Sequence, residues 1–264
     1  MQTQPGRVNV GSVLPTTNDA APFLTDIANC NLPHVSWVIP DGNWSDHNDN
    51  LPGDGGPSWV AAIVNAIGQS SCTDTVNGSS VSYWHDTVIL ITWDDWGGLY
   101  DDVVPPDCPG PLPCTGYANS GSTNGQQYVY GFRVPLLVVS AYAKPSYISG
   151  SPSQGEVAPY VHDFGSILNF VEYAFGQNGV PLGGANGIGD AHWPYADHFA
   201  PDGHFEDPNS PYSLADFFNF SQIQTPVFTT INGAKYPPSC FHNPTGSGCF
   251  TTYPLDPDND ANED

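Results

Sequence analysis

The chain has 264 residues, of which 39% are hydrophobic, so it is long enough to bury a core and is not a disordered polypeptide. Its 27 acidic residues against four basic ones give a net charge of -23, which opposes binding to nucleic acid or anionic membranes. The 28 glycines and 27 prolines exclude a coiled coil or a helical bundle. No apolar run approaches the roughly 20 residues that cross a bilayer, so no transmembrane segment is predicted.

Strand and helix patterns alternate along the chain. Apolar runs rich in β-branched residues predict strands over 35–39, 87–93 and 134–140. Apolar residues at helical spacing predict amphipathic helices over 57–68 and 161–175. Near-continuous apolar strands are typical of sheets covered on both faces. The order therefore predicts an α/β fold with a mostly parallel sheet, in which ligands bind at the carboxyl ends of the strands.

The six cysteines predict disulfides. Cys108 lies close to Cys114 and Cys240 lies close to Cys249, each pair separated by a segment rich in Gly and Pro or Ser. These pairs favour short disulfide loops, which leaves Cys30 with Cys72 by elimination, although six cysteines allow 15 pairings. Metal ligation is the weaker alternative because no CxxC motif is present. Disulfides place the protein in an oxidising compartment, so it is expected to be secreted or periplasmic.

Two adjacent carboxylates follow the second predicted strand. Asp94 and Asp95 are followed by Trp96-Gly97-Gly98, so the strand delivers both acids to a glycine-rich turn. Neighbouring carboxylates repel each other unless a cation or hydrogen-bond donors hold them. Hard divalent cations prefer such oxygen ligands, which predicts a metal site. The alternative is a turn in which an Asp caps backbone amides, and this explains one Asp better than two.

A histidine follows the first predicted strand. His47 ends the segment Asp41-Gly42-Asn43-Trp44-Ser45-Asp46-His47 and could bind a metal, contact a phosphoryl oxygen or transfer a proton. The alternative is a solvated loop histidine. Since strand ends meet at one edge of a parallel sheet, we expect His47 to share a pocket with Asp94 and Asp95.

Arg133 could bind an anionic substrate or serve as a structural ion-pair partner. The remaining histidines are weaker candidates, with structural roles expected for His34 and His85.

Several motifs together resemble the bacterial phosphoesterase family, which includes phospholipases C and acid phosphatases. The motifs are Val35-Ser36-Trp37-Val38-Ile39-Pro40-Asp41 with Ser45-Asp46-His47, Ile91-Thr92-Trp93-Asp94-Asp95-Trp96-Gly97-Gly98, Gly131-Phe132-Arg133-Val134-Pro135, His162-Asp163-Phe164-Gly165-Ser166-Ile167-Leu168 and Ser213-Leu214-Ala215-Asp216-Phe217-Phe218. The resemblance implies a three-layer α/β/α fold like that of alkaline phosphatase, in the alkaline-phosphatase-like superfamily. It also implies metal-assisted hydrolysis of phosphate esters, with a phosphate-ester or phospholipid substrate.

The same resemblance implies roles for individual residues. Asp94 and Asp95 would be ligands of a divalent metal cation, and His47 would be the catalytic residue at the phosphoryl group or the leaving oxygen. This chain has Asp102 where the family often has a histidine. The family's Glu-Asn metal segment and its Ser or Thr nucleophile have no counterpart here. The chain therefore resembles the C-terminal half of such an enzyme, and we expect the isolated chain to lack activity without the missing N-terminal half.

The predicted organisation has three parts. Residues 1–32 form a polar N-terminal segment, residues 33–220 the C-terminal part of an incomplete phosphoesterase domain, and residues 221–264 an acidic tail containing a disulfide. The rival hypothesis is a non-catalytic extracellular module that binds cations or partners, as an inactive relative of the phosphoesterases would.

Overall fold

The computed structural model describes residues 22–40, 42–45, 55–103, 131–149, 162, 164–175 and 214–249. Its elements in chain order are α1 (Pro22–Ala28), α2 (Gly42–Ser45), α3 (Gly55–Gly68), β1 (Thr73–Val76), β2 (Ser79–Ser82), α4 (Tyr83–Asp86), β3 (Ile89–Thr92), β4 (Leu136–Val139), α5 (Phe164–Ala174), a 3₁₀ turn (Ala215–Phe217) and α6 (Ser239–His242). The predicted helices and the second and third predicted strands match α3, α5, β3 and β4. Within this part of the chain, no helix is long and apolar enough to cross a bilayer.

The described residues fall into two compact units. The first contains residues 22–40, 42–45, 55–89, 139–141 and 225–249. The second contains residues 90–103, 131–138, 142–149, 162, 164–175 and 214–224.

An aromatic core holds the first unit together. Trp44 on α2 is 1% exposed, and its ring meets the rings of Tyr236 and Phe241 edge to face, with centroids 5.5 and 4.5 Å away. Trp59 on α3 contacts Phe241 in the same way at 4.9 Å. Burying rings of this size stabilises a fold strongly. The short helix α2 is therefore fixed through Trp44, in the segment that leads to residue 47.

Two disulfides brace this unit. Cys30 is bonded to Cys72 and Cys240 to Cys249, with Cα atoms 5.4 Å apart in each pair. Both bonds agree with the predicted pairing. The third predicted bond, between Cys108 and Cys114, lies outside the described residues.

A β-hairpin and an extended segment complete the first unit. β1 pairs antiparallel with β2 through a turn at Asn77 and Gly78, whose φ angles of 51° and 79° suit a tight hairpin. The later segment 225–231 packs back by hydrogen bonds: Asn65 on α3 donates to Ile231 O and accepts from Ile231 N, and Trp84 Nε1 donates to Thr225 O. His85 contacts Ser82 Oγ and Pro226 O, which gives it structural partners as expected.

The strand predicted over 35–39 is wrong. This segment has no regular secondary structure, and Trp37 and Ile39 are 44% and 51% exposed. A β-branched sequence favours a strand only where a neighbouring strand completes the hydrogen-bond ladder and covers the side chains. No such partner is present among the described residues.

The second unit combines strand ends with packed aromatic rings. β3 pairs with β4 in a two-stranded sheet. Phe170 on α5 stacks on Phe218, which stacks in turn on Phe220, with interplanar angles of 18° in both pairs. Segment 142–144 pairs with segment 217–219, where Lys144 N donates to Phe217 O. Helices and strands are both present, while the parallel three-layer sheet stays a prediction.

Candidate functional site

The turn after β3 presents the two predicted metal ligands to solvent. Thr92 Oγ1 donates a hydrogen bond to Pro135 O at 2.9 Å, which ties the end of β3 to the segment before β4. Asp94 and Asp95 follow at once, and both are exposed. Their carboxylates are therefore accessible to a cation from solution.

One of the two acids also shapes the turn. The carboxylate of Asp95 accepts a hydrogen bond from the backbone N–H of Gly97. Gly97 and Gly98 have φ angles of 60° and 69°, in the left-handed region that glycine adopts most easily. The turn-capping alternative thus applies to Asp95, and it does not account for Asp94.

An ion pair fastens the far end of this turn. Arg133 Nε and Nη2 lie 2.7 and 2.9 Å from the two carboxylate oxygens of Asp101. Asp101 Oδ1 also accepts from Val103 N. The hydrogen bonds from Arg133 hold the pKa of Asp101 well below its usual range, so this carboxyl stays ionised. Arg133 therefore has the structural partner that the sequence left as one of two possibilities.

Aromatic rings pack beside the same turn. Phe132 meets the rings of Trp96 and Tyr100 edge to face, with centroids 5.3 Å away in both cases. Trp96 lies over Gly131 so closely that a Cβ there would approach the indole ring to 3.2 Å. Segment 131–133 thus holds the turn through both ring contacts and an ion pair.

The structure leaves the rest of the predicted site open. His47 lies outside the described residues, so its proximity to Asp94 and Asp95 stays a prediction. Within the described ranges, no group of three His, Cys, Asp or Glu side chains could hold a metal. The donor chemistry of Asp94 and Asp95 fits a hard divalent cation, because both supply exposed carboxylate oxygens. Two carboxylates form part of a coordination shell, which further ligands must complete.

A second polar cluster, which the sequence patterns do not predict, lies around Asp216. Asp216 Oδ2 accepts hydrogen bonds from Ser149 Oγ at 2.6 Å and from Tyr147 Oη at 3.0 Å, and it lies 3.2 Å from His162 Nε2. The Asp216 and His162 side chains are only 9% and 11% exposed. Burial alone would raise the pKa of Asp216, but hydrogen bonding and the charge of His162, with the hydroxyls of Ser149 and Tyr147, lower it.

The geometry of this cluster indicates a structural role. Ser149 Oγ lies 3.1 Å from the same Nε2 atom of His162 that faces Asp216. In a catalytic triad, the serine and the aspartate contact opposite nitrogens of the histidine. The cluster instead joins His162, two residues before α5, to the loop at 147–149 and to the 3₁₀ turn. His162 and Asp216 stand in two motifs of the sequence, yet 54 residues separate them, and no local signal pairs them.

Comparison with known proteins places the chain in a family. The phosphoesterase family model matches residues 6–178, and the chain is a member of the phosphoesterase family. Membership implies an alkaline-phosphatase-like fold.

Curated relatives are phospholipases C. Phospholipase C B of Mycobacterium tuberculosis is 33% identical over 130 residues, which cover 46% of this chain and 23% of that protein. The non-hemolytic phospholipase C of Burkholderia pseudomallei is 29% identical over 159 residues, covering 57% and 20%. The non-hemolytic phospholipase C of Pseudomonas aeruginosa is 26% identical over 166 residues, covering 57% and 21%. The chain thus spans about a fifth of the length of these relatives.

Proposed function

We propose that this chain contributes Asp94 and Asp95 to the divalent-cation site of a metal-assisted phosphoesterase, of the phospholipase C or acid phosphatase type. One observation carries the proposal: in a member of the phosphoesterase family, two adjacent exposed carboxylates stand on a glycine turn at the end of a strand. Capping of Gly97 accounts for Asp95 alone. A cation would offset the repulsion between the two carboxylates.

The chemistry of the site follows from these donors. A divalent cation held by Asp94 and Asp95 would supply Lewis-acid stabilisation of negative charge on a phosphoryl oxygen. Asp101 and Arg133 hold the turn in place from its far end, which preserves the direction of the ligands. In this proposal His47 contacts the phosphoryl group or the leaving oxygen. The nucleophile belongs to the N-terminal half of the enzyme, and this chain supplies the C-terminal half of the active site.

The proposal extends to architecture and compartment. β3 and β4 would belong to the mostly parallel sheet of a three-layer α/β/α domain. The two disulfides support an oxidising environment, so the protein would be secreted or periplasmic. The substrate would be a phosphate ester, either a phospholipid or a soluble phosphomonoester.

Metal titration of the 264-residue chain tests the cation site. Isothermal titration with Mn²⁺, Ca²⁺ and Zn²⁺ would compare the unmodified chain with Asp94→Asn and Asp95→Asn. Asp74→Asn is the matched control, because Asp74 also caps a local backbone amide, that of Thr75, and its loss removes the same charge. We expect at least a tenfold loss of affinity for Asp94→Asn and less than a twofold change for Asp74→Asn. Equal affinities in all variants would refute the site.

Activity assays separate the enzyme from the rival module. The isolated chain and a full-length parent carrying the N-terminal half would be assayed on p-nitrophenyl phosphate and phosphatidylcholine, with and without chelator. We expect turnover by the parent that chelator and Asp94→Asn abolish, and little or none by the isolated chain. If the full-length parent bound metal but hydrolysed neither substrate, the proposal that it is an enzyme would be refuted. That result would favour a non-catalytic cation-binding module.

A further inference from the structure

The turn that carries Asp94 and Asp95 also exposes an apolar surface. We call Trp93, Trp96, Leu99 and Tyr100 the aromatic patch. Leu99 and Tyr100 are 67% and 83% exposed, and the two tryptophans are exposed by about two fifths. Single exposed apolar residues are common, whereas a contiguous group of large ones marks an interaction surface.

Contacts with neighbouring residues fix the aromatic patch in an exposed position. Phe132 supports the rings of Trp96 and Tyr100 from one side, and Leu99 N donates to Trp96 O across the glycines. The ion pair between Asp101 and Arg133 fixes the chain immediately after Tyr100. The exposed rings are therefore presented by a braced turn, which reduces the conformational entropy lost on binding.

Charge narrows the choice of partner. The patch is flanked by the acidic side chains of Asp94, Asp95 and Asp102, and the only nearby cation among the described residues, Arg133, is bonded to Asp101. With a net charge of -23 on the chain, anionic membranes and nucleic acid are repelled. A zwitterionic phospholipid surface presents quaternary ammonium groups outermost, which acidic side chains and aromatic faces both attract.

We infer that the aromatic patch docks the protein on zwitterionic phospholipid surfaces. Trp and Tyr combine an apolar ring with a polar atom and concentrate at the level of lipid head groups, where Leu99 can reach the acyl boundary. The inference rests on the proposed function in one respect: docking here would bring the carboxylates of Asp94 and Asp95 to the lipid surface. Binding of vesicles by the patch is nonetheless measurable without any hydrolysis.

Vesicle co-sedimentation tests the inference with the 264-residue chain. The double variant Leu99→Ala/Tyr100→Ala would be compared with Val227→Ala, a control that removes an equally exposed apolar side chain from the other unit. Vesicles of pure phosphatidylcholine and of phosphatidylcholine with phosphatidylglycerol would be used, with chelator present. We expect binding to phosphatidylcholine that falls at least tenfold in the double variant, stays within twofold in Val227→Ala, and weakens with phosphatidylglycerol content.

The outcomes distinguish docking from the metal site. If Asp94→Asn abolishes metal binding and weakens vesicle binding less than the double variant does, both proposals stand. If metal binding fails while the double variant still loses vesicle binding, docking stands alone. Equal vesicle binding by the double variant and Val227→Ala would overturn docking. So would sedimentation velocity showing that the patch joins two copies of the chain, with no vesicle binding.

Discussion

The hydroxyl of Ser149 lies 2.6 Å from Oδ2 of Asp216, which joins two positions 67 residues apart in the sequence. Tyr147 and His162 approach the same oxygen, so one buried carboxylate anchors three side chains. The contacts hold the 3₁₀ turn against the loop at 147–149 and against His162, two residues before α5. They predict how the stability of the chain depends on pH.

Asp216→Asn should destabilise the chain by about 2 kcal/mol at pH 6, because hydrogen bonds to a charged acceptor contribute about 1.5–3 kcal/mol. The pKa of Asp216 is lower in the folded chain than in the unfolded one. Its contribution is therefore complete above about pH 4 and is lost as the pH falls through the folded-state pKa. Urea midpoints of the unmodified and variant chains should differ at pH 6 and converge in acid. If the difference between the two urea midpoints stayed constant down to pH 2, the ionised Asp216 carboxylate would not be the source of the stability.

Arg133→Gln should return the pKa of Asp101 toward its ordinary value. The guanidinium supplies two of the hydrogen bonds that keep this carboxyl ionised, and they lower its pKa more than the one from Val103 N does. Arg133→Lys should restore the charge but only part of the effect, because an ammonium cannot reproduce the planar fork. Carbon-detected NMR titration of Asp101 measures the shift directly. If its pKa were unchanged in Arg133→Gln, another donor would have to hold the carboxylate.

Gly98→Ala should disturb the turn that carries Asp94 and Asp95. With φ at 69°, an L-residue is strained there by about 1–2 kcal/mol, although a Cβ would meet no neighbouring atom within 4 Å. Gly98→Asn should cost less, since asparagine tolerates the left-handed region. In thermal melting, the melting temperature should be highest for the unmodified chain, lower for Gly98→Asn and lowest for Gly98→Ala. Equal stability of the alanine and glycine chains would show that the turn relaxes to another conformation.

Trp44→Ala should destabilise the chain by about 3–5 kcal/mol, the usual cost of removing a buried large aromatic side chain. Trp44 fills the space between Tyr236 and Phe241, whereas Trp37 is 44% exposed and serves as a control of the same residue type. Trp37→Ala should cost less than about 1 kcal/mol. The comparison uses urea midpoints followed by circular dichroism. Similar losses in both variants would mean that α2 is not anchored through its tryptophan.

The two disulfides should stabilise the chain unequally. The bond between Cys30 and Cys72 spans 42 residues and that between Cys240 and Cys249 spans nine. In the chain-entropy account these loops contribute about 4 and about 2.6 kcal/mol. Paired Cys→Ala variants should therefore differ by about 1.4 kcal/mol in free energy of unfolding, with the longer loop more costly to open. A larger loss from the nine-residue loop would show that local packing outweighs chain entropy.

The local features of this protein could be read from its sequence. Apolar spacing predicted α3 and α5, apolar runs predicted β3 and β4, and short separations predicted the bond between Cys240 and Cys249. The position of Asp94 and Asp95 at a strand end could also be predicted, because a strand followed by a glycine turn is a local pattern. The Asn77-Gly78 hairpin carries a local signal of the same kind, because Asn-Gly is typical of tight hairpin turns.

Only the tertiary structure decided which distant groups meet. Residues 35–39 have a strand-like sequence but no strand, because a ladder needs a second segment that the local sequence does not specify. The partnership of Arg133 with Asp101 and that of His162 with Asp216 likewise depend on segments brought together across 32 and 54 residues. Periodicity records which face of an element is buried. The pairing of polar side chains across the fold is set by which segments pack together, since many acids in this chain could have served as partners.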